Sequence, residues 1–446
     1  MVVAYFREVP IMKKEESNVI INIILEISIL LFGGAILFVL INSNHKSNMT
    51  KPKIKVDKIN MVNKEEKDAY QITNSTIFNI TNSKSSISIS KITDEDYTTY
   101  IKVDANSTIE INNGIQIKSL YIMYELKGYK GTLEYNNKTI EIGNDNFIHE
   151  YIDIPEASNS IKIRYDEDAI ITDIYVFSKG KTPNYVQKWK ANNNKTDLLL
   201  FSTHSDDEHL MFAGLIPTYI ARGYNVEVAY MTNHINNNQS RYHELLNGLW
   251  VAGVTNYPEL GPFPDQHSHD LNKAIKKLEI INIKQDDIIN WQVETIRKYK
   301  PSVVVGHAEN GEYGHGQHRL NSKCLEQAVV KAEDPEYSTN NYNKPWKINK
   351  TYIHLYDKNK IKINIDTPLD YYNGLTALQV SQLAIKEHKS QIKSGWVYKW
   401  LCGPNGYEIT KSTQITKYFP NQFGLFRTNV GEDIKKDDIF ENITKK

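Results

Sequence analysis

The spacing of apolar residues changes period twice along the chain, and each change marks a boundary. Val19 to Ile41 is almost wholly apolar, broken by Asn22, Glu26 and Ser28. About twenty such residues cross a bilayer as a helix, so the pattern predicts a transmembrane anchor over 19–42. Residues 1–18 form an N-terminal tail and 43–65, polar and rich in Lys and Asn, a linker. The length of the apolar run and the lack of a small-x-small site at its end favour an anchor over a cleaved signal peptide. Glu26 lies near one end, within reach of the interface. Arg7, Lys13 and Lys14 precede the run while Lys46, Lys51, Lys53 and Lys55 follow it, so charge barely sets the orientation. The expectation adopted is a single-pass protein of the cell membrane with the bulk of the chain extracytoplasmic.

From 66 to 180 the period becomes two. Alternating runs at Ser119–Leu126, Gly131–Tyr135, Lys138–Ile142, Ser160–Tyr165 and Ile171–Phe177 are separated by turn residues such as Asn136-Asn137, Gly143-Asn144-Asp145 and Asp166-Glu167-Asp168. Short strands at that spacing predict an antiparallel, jelly-roll-like β-sandwich module. It serves either as a spacer or as a carbohydrate-binding module, and no aromatic pattern separates the two.

Over 195–440 strands alternate with helices. Apolar runs at Asp197–Ser202, Asn225–Thr232, Pro301–Gly306 and Thr351–Tyr356 read as strands. A stretch reaching about Arg222, Arg241–Val251 and Ile288–Tyr299 read as helices. The fold class expected is α/β, a Rossmann-like mostly parallel sheet. No Gly-x-Gly-x-x-Gly follows the first strand, so a dinucleotide reading has nothing to stand on.

Composition adds exclusions. Lys+Arg and Asp+Glu both total 53, so no net field points to nucleic acid. Cys324 and Cys402 are the only cysteines, too few for a disulfide framework or a Cys-rich zinc site.

The chemistry sits in two clusters, each just past an apolar strand. His204-Ser-Asp-Asp-Glu-His209 follows Leu198–Phe201, and His307–His318 with its three histidines follows Val303–Val305. Open α/β sheets bind ligands at that edge. Either cluster alone reads as a solvated loop or as acids favouring a helix N-terminus; the pair at matching strand ends reads as a metal site. A catalytic zinc takes three His/carboxylate ligands and leaves a position for water. His204, one of Asp206 or Asp207, and one histidine of the second cluster supply such a set. The second carboxylate is then available as a general base.

These motifs resemble those of the PIG-L/LmbE-like family of zinc-dependent N-acetylglucosaminyl deacetylases. His204-Ser-Asp-Asp-Glu208 is similar to its His-Pro-Asp-Asp-Glu signature, and Gly314-His-Gly-Gln-His318 to its Gly-His-Pro-Asp-His. The resemblance implies His204, Asp207 and His318 as metal ligands, with Zn2+, or another divalent ion such as Fe2+, as cofactor. It implies Asp206 as the base, His315 and Tyr313 as supports of the oxyanion or leaving amine, and Arg241 as a substrate contact. His209, His307 and Glu312 would stand behind them. Ser205 replaces Pro, and Gln317 replaces an Asp that would bond His315, which predicts a lower pKa for His315. His388-Lys-Ser-Gln391 resembles a late His-x-Ser-Gln element with a packing role, and Trp396 and Trp400 are as suited to a sugar cleft as to a core. The activity implied is removal of acetyl from an N-acetylated sugar or glycan. The alternatives are a carbohydrate-binding or scaffolding protein with an inactive deacetylase fold, and hydrolysis of a different amide such as an acylated thiol-sugar conjugate.

Overall fold

The computed structural model describes residues 67–82, 87–191, 196–234, 239–342, 344–392 and 395–444. The predicted tail, anchor and linker lie outside them. Among the described residues no helix is long and apolar enough to cross a membrane.

The first part is antiparallel throughout. Strands β1 (Ile77–Thr81), β2 (Ile101–Val103), β3 (Thr108–Tyr124), β4 (Gly131–Tyr135), β5 (Lys138–Ile142), β6 (His149–Tyr165) and β7 (Ala169–Ser178) join in the order β2-β7-β3-β6-β4-β5, with β1 also on β3. The 17-residue strands β3 and β6 are irregular near Ile117, where their register shifts. Before the shift β3 pairs with β1, and beyond it with β7. All the longer strands contribute to one apolar core, including Ile109, Leu120, Leu133, Ile154, Ile163 and Ile174.

The second part is built on β8 (Leu198–Ser202), β9 (Val226–Asn233), β10 (Glu259–Pro264), β11 (Val303–Gly306), β12 (Lys350–His354), β13 (Lys360–Lys362) and β14 (Gln422–Thr428), in the order β10-β9-β8-β11-β12-β14-β13. β10 to β12 are parallel; β14 runs antiparallel between β12 and β13. The helices are α1 (Asp207–Leu210), α2 (Leu215–Ala221), α3 (Ser240–Val251), α4 (Leu271–Ile280), α5 (Gln285–Tyr299), α6 (Gly316–Lys331), α7 (Ala377–Ile385), α8 (Lys389–Ile392) and α9 (Trp396–Cys402). β8 is buried along its whole length because both faces are covered: Leu198 and Leu200 enter one core, Leu199 and Phe201 the other. The helical stretch expected to run to Arg222 is broken in two. Gly214 sits at φ +84°, and a Cβ there would lie 2.4 Å from the Ile365 side chain, so the chain turns where only glycine fits. Cys324 and Cys402 are both buried and free.

The two parts meet through a buried polar chain. His149 of β6 donates from Nδ1 to Gln187 Oε1 (2.7 Å), leaving Nε2 to accept from His243 Nδ1 of α3 (2.8 Å). Tyr97 stacks on His243, and Phe147 on Tyr257. Burial lowers His149 to about 4. The unfolded chain therefore takes up a proton near pH 6.5 that the folded chain refuses until about pH 4, so this contribution is complete above pH 6.5 and is lost as pH falls through that window. Between pH 7 and 5 the native chain is expected to lose about 2 kcal/mol more than His149→Gln. Parallel urea-unfolding profiles for the two proteins would refute this.

Candidate active site

Three strands of the parallel run deliver the site at their carboxyl ends. β8 feeds 203–206 and α1, β10 feeds Asp265, His267 and His269, and β11 feeds His307–His315 and the start of α6. A cavity of about 570 Å³ opens there, walled by His204, Asp206, Arg241, Asp265, Tyr313 and His315 among others. That size suits a small ligand.

Three atoms converge at its floor. Asp207 Oδ2 lies 3.2 Å from His204 Nδ1 and 3.1 Å from His318 Nε2, and the two nitrogens are 3.2 Å apart. Tetrahedral bonds of about 2.0–2.1 Å separate ligand atoms by about 3.3–3.4 Å, so the triangle has the dimensions of one ion's coordination face. Electrostatics agree. Burial works against charge on the imidazoles, yet Asp207 and Asp265 raise His204 to about 10, and Asp207 and Glu312 raise His318 to about 9. Despite its own burial, Asp207 is held well below the usual carboxylate range by His318 and His204. A place that draws protons onto two touching imidazoles is one that a single cation suits better. The residues therefore fit a divalent ion.

Behind the triangle stands Glu312. Its Oε2 accepts from His318 Nδ1 (2.8 Å); Oε1 accepts from His307 (3.1 Å), His354 (2.9 Å) and the Ala308 N–H (2.9 Å). His307 Nε2 accepts the Thr203 N–H at 3.0 Å, so neither of its nitrogens is left for an ion although it lies 3.6 Å from Asp207.

Asp206 precedes α1 with φ 139°, a strained conformation for a residue with a Cβ. Its N–H is held by Glu208 Oε2 (2.9 Å), and its carboxylate faces Arg241 at 3.3 Å. Burial, only partly offset by Arg241, pushes that carboxyl up to about 7. Arg241 also donates to the Ser205 carbonyl, so it positions the acid as well as lining the cavity. Tyr313 is kept protonated by burial and by the carboxylates around it, and can donate. His315 is kept neutral by burial and by the charge on His204 and His318.

Residues 199–329 match the family profile described as PIG-L: GlcNAc-PI de-N-acetylase. This segment resembles the PIG-L family. The 1D-myo-inositol 2-acetamido-2-deoxy-alpha-D-glucopyranoside deacetylase of Rhodococcus jostii is 24% identical over 287 residues, 55% of this chain and 98% of that one. The deacetylase 2 of the same description from Saccharopolyspora erythraea is 28% identical over 103 residues, 23% of this chain; the match spans 35% of that protein's length. Among solved structures, the N,N'-diacetylchitobiose deacetylase from Pyrococcus horikoshii superposes with a TM-score of 0.36 at 16% identity, covering 52% of this chain and 83% of that one.

One detail of the site differs from the sequence expectation. The position of Gln317 was expected to bear on His315, but its side chain bonds the Gln266 N–H (2.7 Å) and the Pro264 carbonyl (3.1 Å), and approaches His204 Nε2 at 3.5 Å. His315 is depressed as anticipated, but by burial and its cationic neighbours. The sequence reading also missed the β10 side of the cavity. Asp265 Oδ1 lies 3.5 Å from His204 Nε2, with His267 and His269 on the wall. Gly261, Pro262 and Pro264 had masked the strand; the three potential ligands in Asp265-Gln-His-Ser-His269 were the available signal. Trp396 and Tyr418 also line the cavity, and Trp396 meets Tyr313 edge-on at 5.1 Å.

Proposed function

We propose that this chain is a metal-dependent hydrolase that removes the acetyl group from an N-acetylated amino sugar, N-acetylglucosamine in a glycan or glycoconjugate. The observation that carries the proposal is the His204–Asp207–His318 triangle with Asp206 beside it, inside a segment matched by a de-N-acetylase family. His204, Asp207 and His318 would hold the ion, Zn2+ by its donor set. When bound, such an ion polarises a carbonyl and lowers the pKa of water to about 7.

The chain's own residues supply the rest. Asp206, with its carboxyl near 7, accepts the proton of the attacking water at a pH where it is still basic enough to do so. Arg241 and the Glu208 bond to its N–H fix its direction. Tyr313 and His315 reach the cavity as neutral donors, placed for the charge that develops on the acetyl oxygen. Because His315 is held neutral, the proton needed by the departing amine returns from Asp206. Trp396 and Tyr418 offer ring faces on which a sugar can lie. Val19–Ile41 as a tether would make a surface glycan the accessible substrate.

Zinc-loaded chain is expected to release acetate from N-acetylglucosamine oligomers or cell-wall fragments and to stop when a chelator is added. Loaded protein that releases no acetate from any N-acetyl sugar would remove this reading.

A further inference from the structure

A second group of potential ligands lies outside the residues that line the cavity. Glu208, His209 and His388 are all fully buried, and the triangle at the cavity floor uses none of them. Glu208 Oε1 is 3.4 Å from His209 Nε2 and 3.6 Å from His388 Nε2. That carboxylate oxygen and all four imidazole nitrogens lack a hydrogen-bond partner among the described residues. Tyr230 abuts Glu208 and can donate to it, but neither histidine has such a neighbour. Buried polar atoms left in this way are uncommon in a folded protein.

The space between them is kept clear. A Cβ on Gly248 of α3 would sit 2.8 Å from both His209 Nε2 and His388 Nε2, so any other residue there would fill the gap that the two nitrogens face. Two imidazole nitrogens and one carboxylate oxygen around a small void are a transition-metal donor set, and the spacing approaches a tetrahedral edge of about 3.3–3.4 Å.

We propose that Glu208, His209 and His388 form a second, structural zinc site. Its ion would join α1, which carries Asp207, to the segment between α7 and α8 that carries His388. Glu208 would hold the ion with Oε1 while Oε2 keeps the Asp206 N–H, bracing the strained residue from behind. Full burial gives the ion no route to substrate, which separates its role from the cavity-floor site. The proposal does not depend on the deacetylase reading.

The test is a metal count on the whole chain, stripped with a chelator, reloaded with Zn2+ and freed of excess. Two ions per chain are expected in the native protein. One is expected in Asp207→Ala, one in His388→Gln, and none in the combined variant. In Asp207→Ala the remaining ion should raise the Tm on the order of 5 °C relative to the stripped form. That arm decides the matter even where His388→Gln does not fold. One ion in the native chain and none in Asp207→Ala would overturn the proposal. So would two ions retained in His388→Gln, which would put the second ion elsewhere.

Discussion

Asp206→Asn is expected to lower acetate release about 10²- to 10⁴-fold while the metal stays bound. The substitution keeps the size of the side chain and removes only its basicity. The carboxylate lies outside the His204–Asp207–His318 triangle, so no ligand is lost. Asn has the same shape as Asp, so the backbone at 139° is not newly strained. Arg241 loses a charged partner but keeps the Ser205 carbonyl. The measurement is kcat together with metal content on the same sample. Activity within a few-fold of the native chain would show that Asp206 is not the base, and loss of metal would show that it is a ligand.

Glu312→Gln should weaken metal binding about 10- to 100-fold, although residue 312 never touches the ion. One carboxylate accepts from three imidazoles, of which only His318 reaches the triangle. An amide has one acceptor oxygen and turns N–H groups toward rings that now have nothing to accept with, so His318 loses its fixed tautomer and orientation. Competition against a chromophoric chelator measures the affinity. Glu309→Gln, three residues away and exposed, is the control and should change nothing. Equal affinities in the two variants would mean that Glu312 is a packing residue only.

Much of this was legible in the residues. The runs at Leu198–Phe201 and Val303–Val305 are uninterrupted because strands covered on both faces need no polar side, and each ends where its polar cluster begins. Both strands pair directly, β8 on β11, so the two motifs meet across one hydrogen-bonded ladder. What stayed hidden follows from the same physics. β10 is short and interrupted by glycine and prolines, so period-2 alternation gave no sign of it, and Asp265, His267 and His269 went unseen with it. His354 closes the Glu312 network from β12, a strand with no polar cluster of its own. His388 carried only a packing reading until the fold brought it beside His209.

Local chemistry, then, was written in the chain: which turns carry acids and imidazoles, and which strands present them. Division of labour among them was not. Asp206 and Asp207 are adjacent and chemically identical, and only the fold, by turning one toward Arg241 and the other toward His204 and His318, makes them different. The same holds for His307 and His318, one closed off by the Thr203 N–H and the other open to the site. Periodicity and propensity act over a few residues, whereas a pKa or a ligand triangle is set by groups more than a hundred residues apart that packing brings within 3.2 Å.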